Sequence, residues 1–249
     1  MEKTTDKNIY TIVFAIIMVA IVGTILAGLF SFTKPMVTKN REIEKQQNIL
    51  YALGVNENTE TSANFVDANE APVQFEKFVN RQVVIQDGEV IEDNQAYLID
   101  VKKEKSKAKS ASYSRKLPLF IGEKDGETIY VIPIYGKGLW DDIWAYIGLD
   151  KNMVIQGAYF DHKAETPGLG ANIKERFFMD DFIGEHLLDD NGNFVGVTVA
   201  KGNADPRNDR KEDNKVDAIA GATITGDGVT AMIKSDLALY KSYFDTLKQ

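Results

Sequence analysis

The hydrophobic pattern divides the chain unevenly. From Ile9 to Phe32 there is a run of about 24 residues without a charge, enough to cross a bilayer as one helix with some tilt. A cleaved signal peptide has an apolar region of only about 7–15 residues. With no small-x-small cleavage pattern before Lys34, the run reads as an uncleaved signal anchor. Beyond it, Ile43, Ile49, Leu50 and Leu53 recur between charges, which predicts a helix from Asn40 to Leu53 stopped by Gly54. Glu57 to Glu70 is polar and reads as a loop. Val83–Ile85 and Val90–Ile91, split by Asp87-Gly88, predict a hairpin. Lys102 to Arg115, rich in Lys and Ser, reads as a solvated linker. Strands are predicted over Thr128–Tyr135, Val154–Phe160 and Phe194–Ala200, and helices over Phe177–Leu188 and Val229–Leu247. Gly202 to Lys215 is almost wholly polar, a predicted surface loop. Strands and helices mix without clean alternation, so the expected fold is α+β: one membrane helix, then one soluble domain with a twisted sheet and flanking helices.

Composition narrows the chemistry. With 249 residues, 27% charged and 44% hydrophobic, the chain has the make-up of an ordinary folded protein. The net charge of -8 offers no basic field for nucleic acid. There is no cysteine, which removes disulfides, thiolate metal sites and thiol nucleophiles. The two histidines, His162 and His186, exclude a histidine-rich metal site. Lys3 and Lys7 precede the span, whereas Lys34, Lys39, Arg41 and Lys45 follow it, so the basic-residue count mildly favours a cytoplasmic body.

Three segments carry candidate chemistry. In Asp217-Ala-Ile-Ala-Gly-Ala-Thr223-Ile-Thr225-Gly226-Asp-Gly228, the small residues Ala220, Gly221 and Ala222 keep the backbone accessible. A helix is predicted to begin near Asp227, so a turn feeding a helix N-terminus is a candidate phosphate site with a Thr223 hydroxyl. Spacing alone leaves an ordinary capped loop open. His162 to Gly170 contains Pro167-Gly168, a turn that presents Glu165 and Thr166 at a sheet rim; His162 is a weak candidate for a base. In Gly136-Lys-Gly-Leu139-Trp140, Leu139 and Trp140 offer an apolar surface to a flat ligand, although Trp140 and Trp144 at helical spacing also suit a core. The glycines match neither a dinucleotide fingerprint nor a Walker loop.

Together these segments, with Asn40 to Leu50, resemble the C subunit of the sodium-translocating NADH:quinone oxidoreductase; Asp217 to Thr223 is similar to that family's flavinylation motif. The resemblance implies a covalent FMN in phosphoester linkage to Thr223, with Thr225 as second choice. It implies that Gly221 and Ala222 admit the phosphate, that Glu165, Thr166, Gly168, Leu169 and Gly170 line the flavin with Leu139 and Trp140 nearby, and that Lys201 pairs with the phosphate. Asp217 would be read by an extracytoplasmic flavin transferase. Ala220 departs from the family's usual Ser or Thr. The implied organisation is a cytoplasmic stub and anchor over 1–35 and an extracytoplasmic FMN-binding domain with a juxtamembrane helix over 36–249. That orientation overrules the basic-residue count. The implied role is to carry electrons among the subunits of a membrane respiratory complex, with no ion path through a single span lacking internal charge. Two alternatives remain: the G subunit of the related ferredoxin:NAD oxidoreductase complex, and an anchored binding module without cofactor.

Overall fold

The computed structural model describes residues 4–110, 112–202, 205 and 208–248. The first three residues of the predicted stub, position 111 of the predicted linker and positions 203, 204, 206 and 207 of the predicted polar loop lie outside that set.

The chain forms two units, Met1–Glu42 and Ile43–Gln249. Helix α1, Thr4–Ala52, is continuous; it runs through Pro35 and joins what the sequence suggested were two helices. From Asn8 it is long and apolar enough to span a membrane, and the side chains of its uncharged run are exposed. It ends as expected at Gly54, where φ is +84°. Val55 N–H donates to Leu50 O and Gly54 N–H to Tyr51 O, the paired bonds that close a helix through a left-handed residue.

The second unit is built on a six-stranded antiparallel sheet. Its strands are β1 Val79–Gln86, β2 Glu89–Glu92, β3 Leu117–Lys124, β4 Glu127–Lys137, β5 Asp142–Leu149 and β6 Ile155–His162, in the order β2-β1-β3-β4-β5-β6. The predicted β1–β2 hairpin is present, with Asp87 and Gly88 both at positive φ as a tight turn requires. The C-terminal end of α1 lies against one sheet face. Gly148 and Gly157, paired across β5 and β6, leave room there for the Ala52 carbonyl oxygen, which a Cβ at either position would strike. Ile49, Leu50 and Leu53 are fully buried in the same core.

The other face is reached through Gly136. That residue lies five positions along β4 from Val131, the partner of Gly148, so by strand alternation it faces the opposite way. Helix α5, Thr223–Met232, packs there, with Met232 beside Gly136 and Gly228 against the Lys137 carbonyl. The run then passes through a π turn at Ile233–Leu237 and a 3-10 turn into α6, Lys241–Thr246, so the predicted Val229–Leu247 helix is realised with three changes of pitch. The π turn aims the buried Asp236 at the sheet, where its carboxylate accepts from Tyr135 N–H at 3.0 Å, Arg115 at 3.0 Å and Lys105 at 2.9 Å.

Three expectations need correction. The segment read as a solvated linker forms helix α3, Val101–Lys107, capped by Asp100; its buried Glu104 accepts from Lys107, Tyr113 and Lys116 N–H. Over Phe177–Leu188 only α4, Arg176–Met179, and a 3-10 turn to Phe182 are helical. The apolar spacing there serves an aromatic cluster of Phe160, Phe178 and Phe182 instead, with centroids 4.7–5.6 Å apart. Of Phe194–Ala200 only β7, Thr198–Ala200, is a strand, paired in parallel with β8, Lys215–Asp217; Gly196 at φ +67° interrupts the run. The remaining short helix, α2, Ala71–Phe78, leads into β1.

Candidate functional site

The three segments singled out in the sequence converge on one buried carboxylate. The turn from β4 to β5 is closed by Gly138 N–H donating to Asp141 O at 2.9 Å. After β6, Leu169 N–H and Ala171 N–H both donate to Thr166 O at 3.1 Å, with Pro167 and Gly168, φ +77°, at the centre of the predicted turn. Glu165, 4% exposed, lies between these turns and the start of α5. Its Oε1 accepts from Trp140 N–H at 2.9 Å, and its Oε2 accepts from the Thr225 hydroxyl at 2.6 Å. Burial alone would raise its pKa, but bonds from Thr225 and the amides of Trp140, Asp141 and Leu139 outweigh that and hold it below the usual carboxylate value.

Two glycines make room for this carboxylate. A Cβ on Gly138 would lie 2.5 Å from Glu165 Oε1, and one on Gly170 would lie 2.5 Å from both Glu165 Oε2 and Thr225 Oγ1. Their role is close approach, a contact invisible in the local sequence. His162 also serves this loop: its Nδ1 accepts from Glu165 N–H at 3.2 Å.

Above the carboxylate is an open cleft of about 210 Å³, lined by Leu139, Glu165, Thr166, Leu169, Gly170 and the run Gly221 to Thr225. Leu139, Leu169 and Ile224 are exposed and give it apolar walls. Trp140, 68% exposed, stands beside it and donates from its indole to Thr166 Oγ1 at 3.0 Å. Helix α5 begins at Thr223, four residues before the predicted start. The turn ahead of it is closed by Ala222 N–H donating to Ile219 O, with Gly221 at φ +77°. Gly226 N–H donates to Ala222 O as the first bond of the helix, which leaves the amides of Thr223, Ile224 and Thr225 outside the helical ladder at the cleft. Thr223 is exposed and its hydroxyl makes no hydrogen bond among the described residues, whereas Thr225 is 1% exposed and committed to Glu165.

Most of the predicted site residues therefore meet. Gly168 supplies the turn geometry but does not line the cleft. Lys201 is exposed in the turn after β7, and Asp217 ends β8; neither is among the lining residues. Ile224 and Gly138 lay within the segments quoted from the sequence but were not assigned a place in the site. A charged cluster at the start of β5 also went unforeseen. Asp142 binds Lys102, Lys137 and the Tyr135 hydroxyl. Burial opposes its ionisation, yet these three partners drive its pKa well down, while the bond to Asp142 pushes Lys137 up to about 12. Asp141 pairs with Lys163 at 2.8 Å.

Residues 138–238, which contain every wall of this cleft, match the family model described as an FMN-binding domain. The C subunit of the Na(+)-translocating NADH-quinone reductase of Yersinia pestis is 28% identical over 239 residues, covering 91% of this chain and 87% of that protein. The crystal structure of its counterpart from Parabacteroides distasonis superposes with a TM-score of 0.71 at 30% identity, covering 85% of this chain and 96% of that one. The chain belongs to the family of C subunits of the Na(+)-translocating NADH-quinone reductase. Shewanella oneidensis NqrC, a further structural match, gives a TM-score of 0.66 at 27% identity, covering 83% and 97% of the two chains. These likenesses extend well beyond the matched domain, so the family's α+β fold, with an apolar helix ahead of an FMN-binding domain, holds for this chain as a whole.

Proposed function

We propose that the FMN of this electron-carrying subunit is bonded through its phosphate to Thr223. The family fixes the coarser role: an FMN-binding subunit within the membrane-bound Na(+)-translocating NADH-quinone reductase. The residues present suit the cofactor. Apolar walls at Leu139, Leu169 and Ile224 match a flat ring system, and unpaired amides at the start of α5 suit a phosphate, whose charge the helix dipole also favours. When bound, the isoalloxazine supplies the redox chemistry. The first turn of α5 would hold the phosphate, Leu139, Leu169 and Ile224 would hold the ring, and Glu165 would stay ionised at the cleft floor.

The observation that carries the choice of Thr223 is the unequal fate of the two threonines. Thr225 is buried and donates to Glu165, so its oxygen is unavailable without dismantling the cleft floor. Thr223 stands exposed one helical position after Ala222 with its hydroxyl free among the described residues. Asp217 lies outside the cleft, which suits recognition by a flavin transferase better than contact with the flavin. In this reading residues 1–35 are the stub and anchor, residues 36–249 are the flavin domain, and that domain lies outside the cytoplasm, where a covalent tether prevents loss of a cofactor that cannot readily be replaced.

The test is in-gel fluorescence of the denatured full chain after co-production with a flavin transferase. Thr223→Ala is expected to be dark and Thr225→Ala to remain fluorescent. A fluorescent Thr223→Ala band would overturn the assignment.

A further inference from the structure

The geometry points to Glu165 as the positioning residue of the flavin cleft, a clamp that sets the distance between the Leu139–Trp140 wall and the Thr223 end and places a carboxylate at the floor of the cleft. Its link to the flavin rests on the function proposed above; the clamp itself does not.

Three segments distant in sequence have to be held together for the cleft to exist. Residues 138–141 join β4 to β5, residues 163–169 follow β6, and residues 221–225 enter and begin α5. One carboxylate bridges all three, since its two oxygens face opposite ways: one towards the amides of Trp140 and Asp141, the other towards Thr225. The backbone of Glu165 is held in turn by His162, at the end of β6. Neighbouring groups reinforce the spacing, because the Trp140 indole donates to Thr166 across the same gap.

The close glycines at 138 and 170 show that the fit is tight around the charge. A methyl group at either position would displace a carboxylate oxygen. A neutral side chain of equal length could keep most of these contacts, because a glutamine oxygen accepts from Trp140 N–H while its amide donates to the rotatable Thr225 hydroxyl. Glutamine therefore separates the charge from the geometry. A negative charge buried beneath the cleft opposes the uptake of electrons by a group held in it. Removing that charge alone should move the potential without moving the walls.

The experiment uses the full chain with Glu165→Gln and Glu165→Ala, each in a Trp144→Phe background so that fluorescence reports Trp140. Without the transferase, Glu165→Ala should shift the Trp140 emission and increase its quenching by iodide, while Glu165→Gln should match the parent. With the transferase, Glu165→Gln should carry FMN at parental occupancy by mass spectrometry and show a more positive flavin midpoint potential. Glu165→Ala should acquire FMN at least tenfold more slowly. Parental Trp140 emission and parental attachment rate in Glu165→Ala would overturn the clamp. An unchanged potential in a fully loaded Glu165→Gln would overturn the charge effect. If instead Thr223→Ala kept its covalent flavin, the attachment assignment would fail, and the cofactor-free Trp140 measurement would still decide the clamp.

Discussion

Replacing Asp236 by Asn removes one negative charge from a buried carboxylate that ties the C-terminal helical run to the sheet. Asp236 is 1% exposed; one oxygen accepts from Arg115 and Lys105, and the other accepts from Tyr135 N–H. Asparagine has a single acceptor oxygen, so its amide must face either the two cations or the strand amide, donor to donor. Breaking a buried pair by neutralising one partner costs about 3–5 kcal/mol. The Arg115 side chain is 12% exposed and that of Lys105 31%, so the lysine can turn towards water, which favours the lower end. A loss of about 3 kcal/mol corresponds to a fall in melting temperature of roughly 6–12 °C for a domain of this size. Despite its burial, the cations and the strand amide hold the native Asp236 below its ordinary pKa of 3.8. Its contribution is thus present above about pH 4 and is lost as pH falls through the native value. Thermal unfolding of the full chain in detergent from pH 3 to pH 8, wild type against Asp236→Asn, measures both. A difference under 2 °C at pH 7, or one that widens on acidification, would refute the reasoning.

Two further outcomes are expected. Gly148→Ala should destabilise the domain by about 3 kcal/mol, the upper part of the range for overpacking, because the new methyl group meets the Ala52 backbone carbonyl and no flexible side chain can yield; an unchanged urea midpoint would count against that contact. Burial raises the pKa of Glu185 to about 7, so the native state keeps a proton that the unfolded chain releases near the ordinary value of 4.5, and the associated stability is lost as pH rises between these values. Glu185→Gln should flatten that part of the stability profile and gain about 1–3 kcal/mol at pH 8; a variant profile parallel to wild type from pH 4.5 to 8 would remove Glu185 as its source.

Elements whose cause is local were legible in the sequence. The long apolar helix follows from a charge-free run, the Gly54 stop and the Asp87-Gly88 hairpin from backbone requirements, and the Pro167-Gly168 turn from both its residues. The site segments were also legible, through their small residues and through the family likeness they carry. Strand β5 was not, because it is buried along nearly its whole length and shows no alternation; Trp140 and Trp144 even imitate helical spacing. Helix α3 hid behind its lysines, since Lys102 and Lys105 are committed to distant partners, Asp142 and Asp236, that no local window contains. The same holds for Glu165, whose role depends on contacts to residue 140 on one side and residue 225 on the other. Phe177–Leu188 failed for the opposite reason: an apolar period matched a helix while the side chains were filling a cluster over β6.

The seat that Gly148 and Gly157 provide for the end of α1 has a consequence for synthesis. The ribosome makes Ile49, Leu50 and Leu53 roughly a hundred residues before it makes Gly157. At ordinary elongation rates that is an interval of about 5–20 s. During it these side chains, fully buried in the finished domain, have no completed β5–β6 pair to rest on. The nascent chain therefore carries this apolar helix end without its seat until the last strand of the large sheet emerges. Until then these three side chains lack the core that covers them in the finished domain.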